Sequence, residues 1–244
     1  MSPDASTAPL VGPTAIQPPI TTEQRIAAKV VGVLYLIQMA VAIFGETFVR
    51  GRLIVRGDAT QTAQNILAHE QLFRFSIVGD LFVYTGVIVL MWAFYVVVRP
   101  VNKNLALLAV LFRLAENAVL CVATVYSLVI LKLVGSTDYL KPFEPAQLHA
   151  LARLALNTQG LTMNIGFILL GLGSAIFAYL LLKSGYVPKA IAAWGIFSSL
   201  VLAGLTLIII VLPGLGTTLG LTYMVPMFFY EVGLGLWLVI KGIR

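Results

Sequence analysis

Six apolar stretches of about twenty residues or more dominate the hydrophobic pattern of this chain. At about 1.5 Å of rise per residue, a helix of that length crosses the roughly 30 Å hydrocarbon layer of a bilayer. The stretches lack the alternating pattern of barrel strands, so helices are the remaining way to satisfy every backbone group in lipid. The sequence therefore predicts an all-α, polytopic integral membrane bundle with transmembrane helices at Ala27 to Phe48, Ile77 to Val98, Leu105 to Leu131, Leu161 to Leu182, Ala190 to Leu212 and Leu221 to Ile240.

Two of the connections carry shorter amphipathic patterns. Within Asp58 to Arg74 the apolar residues fall at near-helical spacing, and Pro145 opens a second such stretch whose apolar stripe continues to Ala155. We therefore predict two short surface helices, both on the extracytoplasmic side. Residues Met1 to Thr22 are rich in Pro, Ser, Thr and Ala and contain no apolar core, which predicts a disordered tail before one transmembrane domain of residues 23–244.

Composition supports a membrane location. Hydrophobic residues make up 59% of the chain and charged residues only 11%, whereas a soluble domain carries roughly a quarter charged residues. The net charge of +6 comes from basic residues that mostly flank the apolar stretches, which is typical of membrane anchoring and argues against a nucleic-acid partner. Cys121 is the only cysteine and lies inside an apolar stretch, so no intrachain disulfide is expected.

Basic residues at the span ends predict the orientation, because Lys and Arg near these ends are retained on the cytoplasmic side. The two sides of the membrane carry nearly equal numbers of them. However, the turn with Arg99 and Lys103 and the turn with Lys183 and Lys189 are short and strongly basic. We therefore expect a multi-pass protein of the cell membrane with both termini in the cytoplasm.

Ionisable side chains inside the apolar stretches are the candidates for function. A charged group in hydrocarbon costs a few kcal/mol, so such groups usually turn into the bundle and often mark functional sites. Spacings of three and four residues place Arg113, Glu116 and Asn117 on one face of the third span, and Glu231 lies halfway along the sixth. We predict that Arg113 meets Glu116 and Glu231 in a polar cluster or binding site, with Asp80 of the second span as a candidate further member.

Two interpretations of this polar cluster stay open. It is either a clamp that fixes the packing of the helices, or a site for transport or catalysis. At the outer end of the first span, Glu46 and Arg50 stand four residues apart, and with Arg74 they form a candidate outer vestibule that could receive an anion. A charged rim solvated by water is the simpler explanation of these residues.

Patterns for metal binding and for known catalysis are missing. His69 and His149 are the only histidines, and two ligands without a third do not make a metal site. The sequence also contains no His-Glu-x-x-His motif, no pair of cysteines and no Walker loop. We therefore expect no metal and no cofactor, and an enzyme is the less favoured class.

Short polar blocks in a fixed order resemble a known family. They are Glu46-Thr47-Phe48-Val49-Arg50-Gly51, Gly57-Asp58-Ala59, Asn65-Ile66-Leu67, Leu72-Phe73-Arg74, Asp80-Leu81, Arg99-Pro100-Val101-Asn102, Arg113-Leu114-Ala115-Glu116, Ala193-Trp194-Gly195 and the stretch from Glu231 to Leu238. From about Arg25 to the C-terminus, the chain resembles the bacterial integral membrane family named domain of unknown function 4386. The resemblance implies a multi-helix protein of the bacterial inner membrane, and it brings no activity with it.

The leading hypothesis is a non-enzymatic bundle that binds or transports a small or amphiphilic solute through a polar cavity around Arg113, Glu116 and Glu231. Transporters commonly place substrate and ion sites near the midplane of the membrane. Two alternatives stay open, a membrane-embedded enzyme acting on a lipid-like substrate and a structural or regulatory partner of another membrane protein. The expected partners are the lipid bilayer, an unidentified small ligand and a second copy of the chain, because a homodimer is one way for six short-looped helices to enclose a path.

Overall fold

The computed structural model describes residues 19–135 and 138–244. The predicted tail, residues 1–22, lies outside this part of the chain except for residues 19–22, so the division into a tail and a membrane domain stays a prediction. Thr21 caps the first helix, because its hydroxyl accepts a hydrogen bond from Gln24 N at 3.2 Å and its own N–H donates to Gln24 Oε1 at 3.0 Å. This reciprocal pair of hydrogen bonds explains why the helix begins at Thr22.

Within the described residues, six helices are long and apolar enough to cross a membrane, which confirms the predicted number of spans. The described residues contain no strand, and the all-α membrane fold is confirmed with it. We number the spans one to six in chain order: Thr22–Leu53, Glu70–Val98, Lys103–Val134, Pro145–Ser184, Lys189–Val211 and Thr222–Ile240. Two shorter α-helices, Ala59–Ala68 and Pro213–Leu219, and one 3-10 turn, Asp138–Leu140, lie between spans in the described part of the chain.

The spans form a ring in chain order. Each span packs against the next one, and the sixth packs against the first, which closes the ring. Because the number of spans is even, the start of the first span and the end of the sixth lie on the same side of the bundle, which we call the terminal side. The opposite side, which carries the helices Ala59–Ala68 and Pro213–Leu219, is the loop side. Large apolar side chains such as Trp92, Phe197 and Phe229 are exposed on the outside of the ring, as expected where lipid covers the surface.

An apolar core fills the terminal-side half of the ring. It contains buried side chains from several spans, among them Ala28, Phe94, Leu180 and Leu234. Gln24 ties this end together, because its Nε2 donates to Val97 O at 3.1 Å and to Tyr186 Oη at 3.2 Å. The first span is thereby joined to the end of the second and to the turn after the fourth.

Glycines allow close approach at two helix crossings. A Cβ atom added to Gly32 of the first span would lie 2.8 Å from Gly235 O of the sixth. A Cβ atom added to Gly171 of the fourth span would lie 2.5 Å from Ser199 O of the fifth. Only a residue without a side chain fits at these distances, and small residues of this kind are common where membrane helices pack together.

The connections on the loop side differ from the prediction. The first predicted surface helix, Asp58 to Arg74, is present as Ala59–Ala68, but the residues from Glu70 onward already belong to the second span. The prediction of a separate second surface helix is wrong, because its residues begin one continuous helix of 40 residues, Pro145–Ser184. At 1.5 Å per residue this helix is about 60 Å long and extends beyond a hydrocarbon layer of roughly 30 Å. Residues 146–159 contain neither Pro nor Gly that would end it.

The extended start of the fourth span packs against the loop-side connections. Ala152 and Ala155 belong to a second apolar cluster with Ile66 and Phe73. Arg153 Nη1 also donates to a backbone oxygen of the first loop, at 3.4 Å. The start of the fourth span and the loop-side connections therefore form an ordered rim around the loop-side end of the ring.

Candidate functional site

A cavity of about 420 Å³ lies inside the loop-side half of the ring. The described residues that line it come from the first, second, third, fourth and sixth spans and from the segment before the sixth. Tyr35 and Val87 both line the cavity and belong to the apolar core, so the core closes the cavity toward the terminal side. Toward the loop side, the lining residues Gly160 and Leu221 are exposed. The volume falls within the range of about 300–1,000 Å³ that is typical of small-ligand pockets.

Arg113 and Glu116 form an ion pair at the inner end of the cavity. Arg113 Nη1 lies 2.8 Å from Glu116 Oε2, and each residue is only 3% exposed. Among the described residues, Arg113 Nε has no hydrogen-bond partner. A buried polar atom without a partner is costly, which leaves Arg113 Nε available to water or to a bound molecule.

A glycine of the fourth span makes room for this arginine. A Cβ atom added to Gly173 would lie 2.9 Å from Cγ and 3.1 Å from Cδ of Arg113. The aliphatic part of Arg113 therefore passes close to the backbone of the fourth span, and the guanidinium group reaches the cavity.

Glu231 enters the same cavity from the sixth span. The third and sixth spans do not pack side by side in the ring, and the predicted direct meeting of Arg113 with Glu231 is not formed. Among the described residues Glu231 makes no hydrogen bond and no ion pair, although the charges of Arg113 and Glu116 act on it through space. Arg113 of the third span and Glu231 of the sixth thus line the same cavity without contacting each other.

Asn117, which the sequence placed with this polar cluster, is buried but does not line the cavity. Its Nδ2 donates to Tyr84 O in the second span at 3.0 Å. Asn117 therefore joins the third span to the second, next to a residue that does line the cavity.

Glu46, Arg50 and Asp80 form a second charged group, nearer the loop side, which we call the outer charged group. Arg50 Nη1 lies 2.8 Å from Glu46 Oε1, and Arg50 Nη2 pairs with Asp80 of the second span. Asp80 therefore belongs with Arg50 and not with Arg113. All three side chains line the cavity, so the outer charged group and the inner charges are parts of one site.

The first span changes its winding at the outer charged group. Residues Phe44–Arg50 form a π-helix, followed by a last α-helical turn, Gly51–Leu53. π-helical segments are rare and often occur at functional sites. This one carries both Glu46 and Arg50, and nothing in the hydrophobic pattern predicted it.

Arg74, the third residue of the predicted vestibule, lies apart from the cavity. Its Nη2 is 2.6 Å from Glu70 Oε1, one turn earlier in the same span, and the side chain of Arg74 is 50% exposed. Arg74 therefore belongs to the outer surface on the loop side, and in the structure Asp80 occupies the place beside Arg50 and Glu46.

Three side-chain amides that the sequence analysis did not single out also line the cavity: Gln38, Gln159 and Asn164. Gln159 Nε2 donates to Ser127 Oγ at 2.9 Å, while Gln38 Nε2 has no partner among the described residues. Gln38 and Asn164 each interrupt an apolar stretch. An uncharged polar residue inside a span was the signal that could have identified them.

Most of the remaining wall is apolar or aromatic. The rings of Tyr35, Tyr84, Phe167 and Tyr223 line the cavity together with aliphatic and methionine side chains. A molecule inside would meet charged groups at the inner end and near the loop side, and apolar surface between them.

The two histidines lie on the loop side and do not line the cavity. His69 Nδ1 is 3.1 Å from Asn65 O, and His149 Nδ1 is 3.3 Å from Thr60 Oγ1. In the described part of the chain, no group of three His, Cys, Asp or Glu side chains is placed to hold a metal ion.

Comparison with known proteins identifies a family. The model of the family described as Domain of unknown function (DUF4386) matches residues 30–242. No curated protein and no solved structure matches the chain. The matched range contains every residue that lines the cavity. The resemblance noted in the sequence is confirmed, and the chain belongs to the DUF4386 family.

Proposed function

We propose that this membrane protein binds a small or amphiphilic solute in the cavity and moves it across the membrane. One observation carries the proposal: a single cavity of about 420 Å³ joins the charges at the inner end, Arg113, Glu116 and Glu231, to the outer charged group. Sites for substrates and ions lie near the membrane midplane in many transporters, between helices that can rearrange around them.

The pairing of the inner charges favours a binding site over a packing clamp. A clamp joins two helices, whereas Arg113 and Glu116 lie three residues apart on one helix. Glu231 contributes no hydrogen bond or ion pair to any described residue. The clamp interpretation fits Arg50 better, since this side chain joins the first span to Asp80 of the second.

The cavity is closed by the core toward one side of the membrane and has exposed lining residues toward the other, an asymmetry that supports transport. The apolar core and the hydrogen bonds of Gln24 close the terminal side, and the exposed lining residues lie toward the loop side. We further propose that the terminal side faces the cytoplasm, because the basic turns of the second to third and fourth to fifth spans lie there. The homodimer stays a prediction from the sequence, and one chain supplies all the described walls of the cavity.

Two glycines offer a matched test. A Cβ atom at Gly160 or at Gly204 would meet nothing within 4 Å, but only Gly160 lines the cavity. Gly160→Phe should therefore add a ring at the wall of the cavity without disturbing the fold, and Gly204→Phe places the same ring elsewhere on the bundle. Three radiolabelled probes have chains of eight carbons: n-octyltrimethylammonium, octanoate and n-octanol. Their binding is measured on protein in lipid nanodiscs, and binding to empty nanodiscs is subtracted.

We expect saturable binding of at least one probe to the wild type and to Gly204→Phe, and a loss of about tenfold or more in affinity for Gly160→Phe. Proteoliposomes should take up the bound probe faster with the wild type than with Gly160→Phe. Absence of saturable binding for all three probes, or equal binding by Gly160→Phe, would refute a ligand site in this cavity. Binding without uptake would refute the transport step.

A further inference from the structure

We infer that the ligand of the cavity is an organic cation, an amphiphile with an ammonium-type head group for which Glu231 is the counter-charge. This inference rests on the binding function proposed above and adds the charge of the ligand to it.

The charges around the cavity are unequal. Among the described residues that line it are two cationic side chains, Arg50 and Arg113, and four carboxylates, those of Glu46, Asp80, Glu116 and Glu231. With all six groups ionised, the cavity carries an excess of two negative charges. Within a bundle that lies in lipid, water screens such an excess poorly. A bound cation lowers this electrostatic energy and a bound anion raises it.

The contacts place part of the excess at Glu231. Arg113 pairs with Glu116 at 2.8 Å, and Arg50 pairs with both Glu46 and Asp80. Both arginines are therefore engaged by other carboxylates. Glu231 is the lining carboxylate for which no described residue supplies an ion pair or a hydrogen bond.

The wall beside these charges suits an organic cation. The rings of Tyr35, Tyr84, Phe167 and Tyr223 line the cavity that Glu231 enters. Aromatic faces attract ammonium groups, and they do so most strongly where water is displaced. The apolar surface between the two charged regions would accept the hydrocarbon part of the ligand.

An unpartnered buried atom is a second, independent sign of a ligand. Arg113 and Glu116 are each 97% buried, since only 3% of either residue is exposed. Among the described residues, Arg113 Nε has no acceptor, although the side chain lines the cavity. A ligand with an oxygen atom beside its cationic centre would accept a hydrogen bond from Arg113 Nε, and amino alcohols and amides carry such an oxygen.

The experiment uses the same three probes with eight-carbon chains, whose head groups are cationic, anionic and neutral, on protein in nanodiscs. Glu231→Gln removes the proposed counter-charge and keeps the side-chain size, and Glu231→Asp restores the charge. Glu70→Gln is the matched control, because Glu70 pairs with Arg74 outside the cavity. Size-exclusion profiles and helical circular dichroism establish that each variant is folded.

We expect n-octyltrimethylammonium to bind about tenfold or more tightly than octanoate and n-octanol. Glu231→Gln should remove most of this preference, Glu231→Asp should recover part of it, and Glu70→Gln should bind like the wild type. Tighter binding of octanoate or n-octanol that Gly160→Phe abolishes would overturn the cation assignment and leave the binding function standing. Unchanged cation binding by Glu231→Gln would overturn the role of Glu231, whereas the absence of saturable binding for every probe would refute both proposals.

Discussion

Replacing Arg113 by methionine will leave two carboxylates at the inner end of the cavity without a nearby cation. Methionine keeps an aliphatic stem of similar length close to Gly173, so the change removes charge more than packing. Glu116 loses its partner at 2.8 Å. Glu231 loses the positive charge that acts on it across the cavity.

The expected cost follows from the burial of the pair. Removing one partner of a buried ion pair typically costs about 3–5 kcal/mol, because the other charge stays buried without compensation. Arg113 and Glu116 are each 3% exposed, but they face a cavity with room for water, which favours the lower end, about 3 kcal/mol. For a chain of this length each kcal/mol lowers Tm by about 2–4 °C, so that Tm should fall by about 6–12 °C.

Thermal unfolding in a mild detergent, followed by fluorescence-detected size exclusion, measures this change. Arg74→Met is the control, because Arg74 is paired but half exposed. Its loss should cost at most about 1 kcal/mol, or about 2–4 °C. The double variant Arg113→Met with Glu116→Leu should recover part of the stability, because apolar side chains often replace a buried ion pair without loss.

Equal melting temperatures for Arg113→Met and Arg74→Met would refute the buried ion pair as a source of stability. A double variant no more stable than Arg113→Met would show that the unpaired carboxylate of Glu116 is not the cause of the loss.

Three further changes test other parts of the structure. Gly195→Ala would place a Cβ atom 2.3 Å from Cε2 of Tyr230, and thermal unfolding should show a loss of about 1–3 kcal/mol in stability. In the control Gly204→Ala, the added Cβ atom meets nothing within 4 Å, and Tm should be unchanged or slightly raised. Gln24→Ala should speed backbone hydrogen exchange at the terminal side, measured by mass spectrometry, because Gln24 makes two hydrogen bonds there; unchanged exchange would contradict its role in closing that end. Arg50→Gln should speed exchange in the π-helix, because Arg50 loses its ion pairs to both neighbouring carboxylates; exchange equal to the wild type would show that these pairs do not order the segment.

The fourth span shows where the hydrophobic pattern was informative and where it was not. Hydropathy predicted Leu161 to Leu182, and the helix does cross there, but it begins at Pro145. The change from polar to apolar residues marks where lipid begins, and it does not mark where a helix begins. The helix start depended on Pro145 at its first position and on the lack of any Pro or Gly in residues 146–159.

The sequence likewise predicted some contacts between charged side chains and missed others. Spacings of three and four residues predicted that Arg113 could reach Glu116 and Glu46 could reach Arg50, and both pairs are present. The partner of Asp80 could not be obtained from spacing, because Arg50 lies 30 residues away on another span. The predicted vestibule therefore included Arg74, which follows Glu46 and Arg50 closely in the sequence but lies on the outer surface in space.

The sequence alone was enough for the membrane location, the six helices and the sets of polar side chains that share a helix face. These properties follow from local rules, since lipid cannot satisfy an open backbone and the helical repeat sets which side chains are neighbours. Only the tertiary structure decided that the sixth span closes a ring with the first, and that Glu231 and Arg113 face one cavity without touching. Such features depend on the distance and angle at which helices pack, which are set by steric contacts such as that of Gly32 with Gly235, between residues far apart in the chain.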